Sequence, residues 1–460
     1  MSVTIANRNR RWLIVVLLEI VAVALAFMQM LGGVRTDEAK YLLNIPYPHP
    51  PLVRWILSQT EWIPFQEWLW RIIFATLMVQ AVWIVMGLEC TKYQKSRNTQ
   101  NSISNNERPV RSEHWILGNE ISLFFDIWGI FVGACWLFSS AVLLQSGTIM
   151  MAPLTALQSL VFLWLLSNRS SAERHRGFVA LFWLASLFTA YQIVLFAPLV
   201  IALFWRMKIP LWQKALYVLL PFLLLIIYTF VNPLALSSMF VHGSKDLSET
   251  LIERFLRTGK VWGLGGSFLI SLLGTIGIFH TRRWELIASF LLVLAFVALA
   301  RFEYYAILFT PLFAVGCGAL LLSLQRINNL PFTISNQFAI RNLQFAILML
   351  LLLGTTVTLW FFPPSFKPGP SRSVMQLIIA QGKQGLPTVA PNSVAKAGAV
   401  LINGSFGHEW QYESPFVVRH YVPGFVTGAQ AIVCLRPCEN IPQKDFTEIA
   451  SDPVPVWMHN

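Results

Sequence analysis

An acidic pair and a proline-stiffened histidine run stand close together just after the first apolar stretch. The chain reads Arg35-Thr36-Asp37-Glu38-Ala39-Lys40-Tyr41, then Tyr47-Pro48-His49-Pro50-Pro51-Leu52. Consecutive side chains diverge, so one carboxylate can face a reactant while the other anchors the segment. A carboxylate in a partly desolvated pocket can take the proton of an attacking hydroxyl. The double proline blocks regular helix and stiffens the backbone behind the pair. Charge is costly in hydrocarbon, so a pair at the end of an apolar span faces water or a polar cavity. These residues suit a base held in a fixed place at a membrane surface. The plain alternative is a hydrated acidic loop with Arg35 and Lys40 as ion partners.

The elements around the pair are apolar. Hydrophobic residues make up 55% of the 460-residue chain and charged residues 12%, against about 25% charged in an ordinary soluble domain. With a mean hydropathy of +0.58, this composition predicts a polytopic membrane protein. The formal net charge of +12 does not point to nucleic acid, because the basic residues sit in short loops between apolar runs. There they act as orientation signals and contacts to anionic head groups. Apolar spans are expected at 12–31, 68–88, 121–144, 151–167, 177–190, 192–205, 214–231, 261–279, 284–300, 303–323 and 341–362, about eleven in all. The first, though preceded by Arg8, Arg10 and Arg11, is long enough to cross and runs into Gly32-Gly33 without a cleavage pattern; it is expected to be a retained helix.

Charge sets the expected orientation. Arg169, Arg174 and Arg176 precede the 177–205 stretch, and Arg206, Lys208 and Lys214 follow it. Both flanks on the cytoplasmic side demand a hairpin with its tip near Tyr191. The linker at 90–115, Arg282-Arg283 and Arg326 mark further inner loops. The acidic motif, the 232–260 loop and the C-terminus then lie on the outer side.

Beyond Phe362 the character changes. Pro363-Pro364 and Lys367-Pro368-Gly369-Pro370 form a breaker-rich junction. The short runs at 399–402, 416–418 and 431–433 resemble strands. Residues 1–363 are therefore expected to form the membrane domain, and 364–460 a small α/β domain outside the cytoplasm. The fold class is an all-α polytopic membrane protein with a small α/β extracytoplasmic C-terminal domain. Cys434 and Cys438 flank a short loop that could close as a disulfide outside the cytoplasm. Two unpaired thiols are the alternative if the topology is inverted. Cys90, Cys135 and Cys317 lie in or beside apolar spans as small core residues.

Asp-Glu, an aromatic three residues on, and then His-Pro-Pro-Leu resembles the first outer loop of the membrane GT-C glycosyltransferases. The likeness is nearest to the protein O-mannosyltransferase and aminoarabinose-transferase group. It covers the hydropathy layout of the membrane part, but is specific in residues only at 35–54 and, less so, at 301–311. It implies transfer of a sugar from a polyprenyl-phosphate carrier to a glycan, lipid or protein acceptor on the outer face of the plasma membrane. It implies Asp37 as base, with Glu38 beside it in the catalytic pair. Substrate contacts would fall to Arg35, Tyr41, His49, Arg54, Arg301, Tyr304 and Tyr305. Arg54 stands where a Lys often follows Pro-Pro-Leu, and its forked donors suit a phosphate. Arg301-Phe302-Glu303-Tyr304-Tyr305 is similar to an Arg-Tyr run that opens a late span in the family; an Arg snorkelling to head groups, with Glu303 as partner, is the plainer reading. Two positions depart from the family. Residues 145–154 carry no carboxylate, and Ala190-Tyr191-Gln192 stands where a Lys is usual. Phosphate binding would then rest on Arg35, Arg54 or Arg301. No metal and no other cofactor is expected. A lipid-linked-sugar flippase, or a catalytically silent lipid-binding homologue, shares most of these features.

Glu19 and Asp126 fall inside apolar spans and are expected to make helix–helix hydrogen bonds. Leu251, Ile252, Phe255 and Leu256 form an amphipathic face expected to lie on the membrane and help close the site. His242, Lys245 and Asp246 precede it in the same loop, and His408 and Glu409 lack metal-ligand spacing.

Overall fold

The computed structural model describes residues 2–45, 50–88, 127–232, 250–300, 302–328, 337–364, 369–381, 399–404, 406–422, 426, 429–452 and 454–459. Asp126, His242, Lys245, Asp246, His49 and Arg301 lie outside them. The described chain is mostly helical, with a small C-terminal sheet. Four described helices are long and apolar enough to cross a membrane: Trp12–Leu31, Gln66–Leu88, Leu211–Val231 and Glu303–Leu321, with a bent pair as a fifth candidate. The other expected runs form shorter apolar helices, among them Met151–Ser167, Arg176–Thr189 and Trp284–Leu299.

The first layer is α1 (Ser2–Leu31) against α4 (Gln66–Gln80), with α2 (Thr36–Leu42) and α3 (Leu52–Ser58) between them in sequence. Ala22 and Ala26 meet Ala75 and Val79, and small side chains let the backbones approach closely. Within this contact the Glu19 carboxylate accepts from Thr76 Oγ1 at 2.5 Å and Gln80 Nε2 at 3.3 Å. A carboxylate on an apolar helix is thereby satisfied by the neighbouring helix, as expected for this position.

Two expected spans are broken, and the breaks meet. The 121–144 run divides into α5 (Ile127–Leu137) and α6 (Ser140–Gln145), after which come α7 (Met151–Ser167), α8 (Arg169–Arg174), α9 (Arg176–Thr189), a 3₁₀ turn at Tyr191–Phe196, α10 (Ala197–Arg206) and α11 (Leu211–Val231). The expected span at 261–279 is instead the end of α12 (Leu251–Gly265) and most of α13 (Phe268–His280), which meet at 91°. Bending frees backbone groups that an apolar surround cannot hydrate. Here hydroxyls and a backbone amide take them up. Ser139 Oγ and Thr310 Oγ1 donate to Gly265 O at 2.9 and 2.5 Å, and Ser140 N donates to Gly266 O at 2.5 Å. Phe268 N donates to Thr358 Oγ1 at 3.0 Å, and Thr355 Oγ1 to Phe138 O at 2.5 Å.

The expected hairpin turns where Ala190 is extended (φ −156°, ψ 137°). Its two basic flanks come together, since Lys208 N donates to Glu173 Oε1 at 2.9 Å. Arg206 and Arg283 also share Glu285, at 3.0 and 2.6 Å. The remaining helices are α14 (Trp284–Leu299), a 3₁₀ segment at Glu303–Phe309 leading into α15 (Thr310–Asn328), and α16 (Gln337–Phe361).

Beyond them come α17 (Ser371–Gln381), β1 (Ala399–Asn403), α18 (His408–Glu413), β2 (Val417–His420), β3 (Ala429–Cys434), β4 (Phe446–Ala450) and β5 (Val456–His459). The strand order is β2-β1-β3-β5-β4, parallel across β2-β1-β3 and antiparallel across β3-β5-β4. Cys434 and Cys438 are joined as a disulfide closing the loop after β3. Val374, Met375 and Ile378 of α17 and Trp410 of α18 cover the face formed by Val400, Ile402, Ala431, Val433 and Val456.

Helices α13 and α15 cross with their backbones in close approach at Gly274, Gly277 and Gly316. A Cβ added at Gly277 would strike the Gly316 carbonyl, and one at Gly316 would strike the Gly274 carbonyl. Gly277→Ala is therefore expected to lower the thermal midpoint of the detergent-purified protein by several degrees, an overpacking cost of about 1–3 kcal/mol. Gly259→Ala on α12, where an added Cβ meets nothing within 4 Å, should leave the midpoint unchanged or higher. Equal midpoints for Gly277→Ala and the parent would mean that the two backbones are not in contact.

Candidate functional site

The two consecutive carboxylates have opposite fates. Glu38 sits at the third position of α2 and accepts the backbone N–H of Arg35, the residue before the helix, at 2.8 Å. A Glu placed so ties down the first turn. The same carboxylate is fully buried and pairs with Arg71 of α4 at 2.9 Å. It also accepts from Ile149 N at 2.8 Å and pairs with the Arg35 guanidinium at 3.4 Å. Burial by itself would raise this carboxyl; Arg71, Arg35 and the two backbone N–H groups outweigh it and hold Glu38 at about 2. A carboxylate so saturated is an anchor. The expectation that Glu38 shares the catalytic role with Asp37 is corrected on this ground.

Arg71 extends the anchor. It donates to Gly147 O at 3.0 Å and Gly33 O at 3.2 Å, and its Nε donates to Glu67 at 2.8 Å. The 145–154 stretch, which has no carboxylate, thus serves the site through its backbone, with Gly147 C=O on Arg71 and Ile149 N–H on Glu38. Glu67 in turn pairs with Arg372 of α17 at 2.6 Å, and Arg372 pairs with Glu413 of α18 at 2.9 Å. Arg372 also donates to the Met30 carbonyl at the end of α1. Glu413 accepts from Val34 N at 3.1 Å, and Thr36 Oγ1 donates to Glu409 at 2.5 Å. The C-terminal domain therefore clasps the segment leading into α2. Tyr412 joins the apolar cluster of Val34, Leu42, Phe74 and Ile149 below it.

Asp37, one residue away, is left outside this cluster. Its side chain is 25% exposed and pairs with Lys40 at 3.0 Å, the one hydrogen bond it makes among the described residues. It lies within electrostatic range of Tyr305. The Tyr305 hydroxyl accepts from Gln192 Nε2 at 3.2 Å and from the Tyr304 hydroxyl at 3.4 Å. Of the residues expected to share a site from segments far apart in sequence, Tyr305 lies within electrostatic range of Asp37, and Tyr304 is joined to Tyr305 through their hydroxyls.

The other expected substrate contacts stand differently. Tyr41 is 4% exposed and packs in the apolar cluster under α2. Arg54 donates to the Ile45 carbonyl at 2.8 Å, and so ties α3 to the segment after α2. Arg35 is engaged with Glu38 and with Gln29 Oε1 at 2.9 Å. Among the described residues, the cation paired with Asp37 is Lys40. Glu303 pairs with Lys260 of α12 at 2.5 Å. Arg257 of the same helix donates to the carbonyls of Val297, Ala298 and Ala300, so α12 is fastened to the end of α14. Its apolar face, with Leu251, Ile252, Phe255 and Leu256, is strongly exposed.

Beside α3 lies an apolar groove of about 720 Å³. Pro51, Leu52 and Trp55 form one wall, with Phe188 of α9 and Ile227 and Tyr228 of α11 opposite. Among the described residues, no group of three or more His, Cys, Asp or Glu could hold a metal ion. No protein-family model, curated protein or solved structure matches this chain.

Arg71, Glu67, Arg372 and Glu413 are missing from the residues singled out by sequence. The available signal was Glu67 and Arg71, four apart at the head of an otherwise apolar run. Glu38 is depressed from near 4.5 to about 2. Its contribution to stability is therefore complete above about pH 4.5 and lost as pH falls through about 2, worth roughly 3 kcal/mol by linkage. Glu38→Gln should lower the thermal midpoint at pH 7 and flatten the acid limb between those values. Arg71→Met, which strands a buried carboxylate, should cost about 3–5 kcal/mol at neutral pH. A parent-like midpoint for Arg71→Met would show that the pair does not hold α2.

Proposed function

We propose that this chain is an integral-membrane glycosyltransferase that moves a sugar from a polyprenyl-phosphate carrier to a cell-envelope lipid, glycan or protein acceptor. The observation that carries the reading is the division of labour in the acidic pair. Glu38 is locked into a buried ion cluster, and this holds the part-exposed Asp37 at a fixed place within electrostatic range of Tyr305. Fixing a base on a braced short helix is what proton abstraction in a displacement requires.

In the reaction, Asp37 accepts the proton of the acceptor hydroxyl. The acceptor oxygen forms its bond to the anomeric carbon from the face opposite the carrier. The bond from that carbon to the phosphate oxygen breaks, and polyprenyl phosphate departs with the electron pair. The anomeric configuration inverts. Lys40 occupies one oxygen of Asp37 at 3.0 Å. A carrier phosphate that draws the Lys40 ammonium to itself frees that oxygen for the acceptor and neutralises the leaving group in one movement. The apolar groove beginning at Pro51, Leu52 and Trp55 suits the isoprenoid tail.

In this reading the shorter apolar helices also cross the bilayer, for about eleven spans. The basic flanks joined at Glu173 and Glu285 face the cytoplasm, and Asp37 and the C-terminal sheet face outward. Residues 1–363 are the catalytic membrane domain and 364–460 its outer brace.

Asp37→Asn keeps the shape and removes the base. Envelope glycans analysed by mass spectrometry from cells with the parent chain, the variant or neither should show the transferred sugar with the parent only. Turnover should fall by roughly 10²–10⁴-fold, while carrier lipid still co-purifies with the variant. A normal glycan profile with Asp37→Asn would remove Asp37 from the chemistry.

A further inference from the structure

Next to Asp37 lies a small polar cluster that the reaction as written does not employ. Gln192, in the 3₁₀ turn Tyr191–Phe196, is 7% exposed. One end of its amide is bonded to the Tyr305 hydroxyl at 3.2 Å; the other, Oε1, is buried with no hydrogen-bond partner among the described residues. Gln145, 1% exposed at the end of α6, approaches the same tyrosine pair and donates to Tyr304 O at 2.8 Å. Its Oε1 is likewise buried and unpartnered. Folded proteins leave few buried polar atoms unsatisfied, because each forfeits its solvation without compensation. One such atom belongs to the amide at the Tyr305 hydroxyl and the other to the amide at the Tyr304 backbone, and Tyr305 lies within the electrostatic reach of Asp37.

The chemistry of these atoms narrows what can complete them. An amide oxygen accepts and never donates, so it needs an O–H or N–H group. A phosphate oxygen with no proton cannot satisfy it. A hydroxyl can, and because it both donates and accepts it pairs with a glutamine amide whichever way that amide is turned. The Tyr304 ring, stacked on Phe302 with centroids 5.2 Å apart, adds a flat apolar surface beside the polar atoms, the shape offered by a sugar ring with its hydroxyls at the rim.

We propose that Gln192, with Gln145 and the Tyr304–Tyr305 hydroxyls, reads a hydroxyl group of the transferred sugar, which makes Gln192 a specificity-determining residue. The inference rests on the glycosyl-transfer reading above.

The test uses the full chain in nanodiscs. Saturation-transfer NMR measures binding of free glucose, mannose, galactose and arabinose, of their single-deoxy analogues, and of inorganic phosphate. At least one parent sugar should bind, and one of its deoxy analogues should bind roughly tenfold more weakly. Gln192→Met, which keeps length and volume without a polar end, should weaken the parent sugar by the same factor and bind parent and deoxy forms alike. Gln192→Glu, which keeps an acceptor, should bind the parent sugar within a few-fold of the original chain. Phosphate binding should be unchanged in both variants. A parent-like deoxy preference in Gln192→Met overturns the assignment of Gln192 and leaves the transferase reading standing. Absence of binding by any sugar to the unaltered chain overturns both. Loss of sugar and phosphate binding together in Gln192→Met, with a lowered thermal midpoint, assigns Gln192 a structural role and overturns the proposal; Gln192→Glu behaving in the same way seals that outcome.

Discussion

A carboxylate with no exposed surface can remain ionised only if something replaces the water it has lost. For Glu38 the replacement is complete: two guanidinium groups and two backbone N–H groups converge on its oxygens. Each partner comes with its own segment. Arg71 brings α4, Ile149 brings the loop before α7, and Arg35 brings the start of α2 itself. Arg71 then draws in the carbonyls of Gly33 and Gly147. Buried ion pairs are poor sources of net stability but strong specifiers of geometry, since a partner lost is far more costly than a pair never made. The place of Asp37 follows from this: α2 has only seven residues, too short to be stable by itself, and its orientation is borrowed from the ion cluster.

The second organising constraint concerns the backbone. Two apolar runs are interrupted, at Phe138–Ser139 and at Gly265–Gly266, and each interruption releases polar groups into apolar surroundings. The two are placed against each other, and Ser139, Ser140, Thr310, Thr355 and Thr358 satisfy what either would otherwise leave open. The consequence for the site is spatial. The bend sends α12 off at 91° from α13, so that Arg257 and Lys260 reach the end of α14 and Glu303, immediately before the tyrosine pair.

Much of the scaffold was legible because it depends on local composition. Apolar runs became helices nearly where hydropathy ended them, and the short apolar runs at 399–402 and 431–433 became β1 and β3. The two flanks of the 177–205 stretch lie together, joined by the bond from Lys208 N to Glu173. The breaks were harder to see: Gly265-Gly266-Ser267 is a visible breaker, but hydropathy averaged across it hides the bend. Strands β4 and β5 are short and half exposed, with polar residues and prolines between them, so their pattern is weak. The ion cluster was least legible of all. One of two acids was expected to anchor the loop, yet Arg71 and Arg372 stand 33 and 334 positions from Glu38 in the sequence. The i,i+4 spacing of Glu67 and Arg71 marks a charged pair, but nothing local links it to Glu38 or Arg372. Arg35 and Arg54, placed conspicuously for phosphate, also bond Glu38 and the Ile45 carbonyl respectively, and those contacts depend on the folded positions of α2 and α3.

The clasp of Arg372 and Glu413 on the first helices also bears on how the molecule is assembled. A ribosome delivers Val34, Thr36 and Glu67 more than three hundred residues before Arg372. For most of synthesis the Val34 amide and the outer oxygen of Glu67 must wait for partners not yet made. The inner bond from Glu38 to Arg71 can close early, whereas the outer one closes later, when α17 and α18 have folded and docked. The setting of α2 is thus completed only after Arg372 and Glu413 have been made and docked.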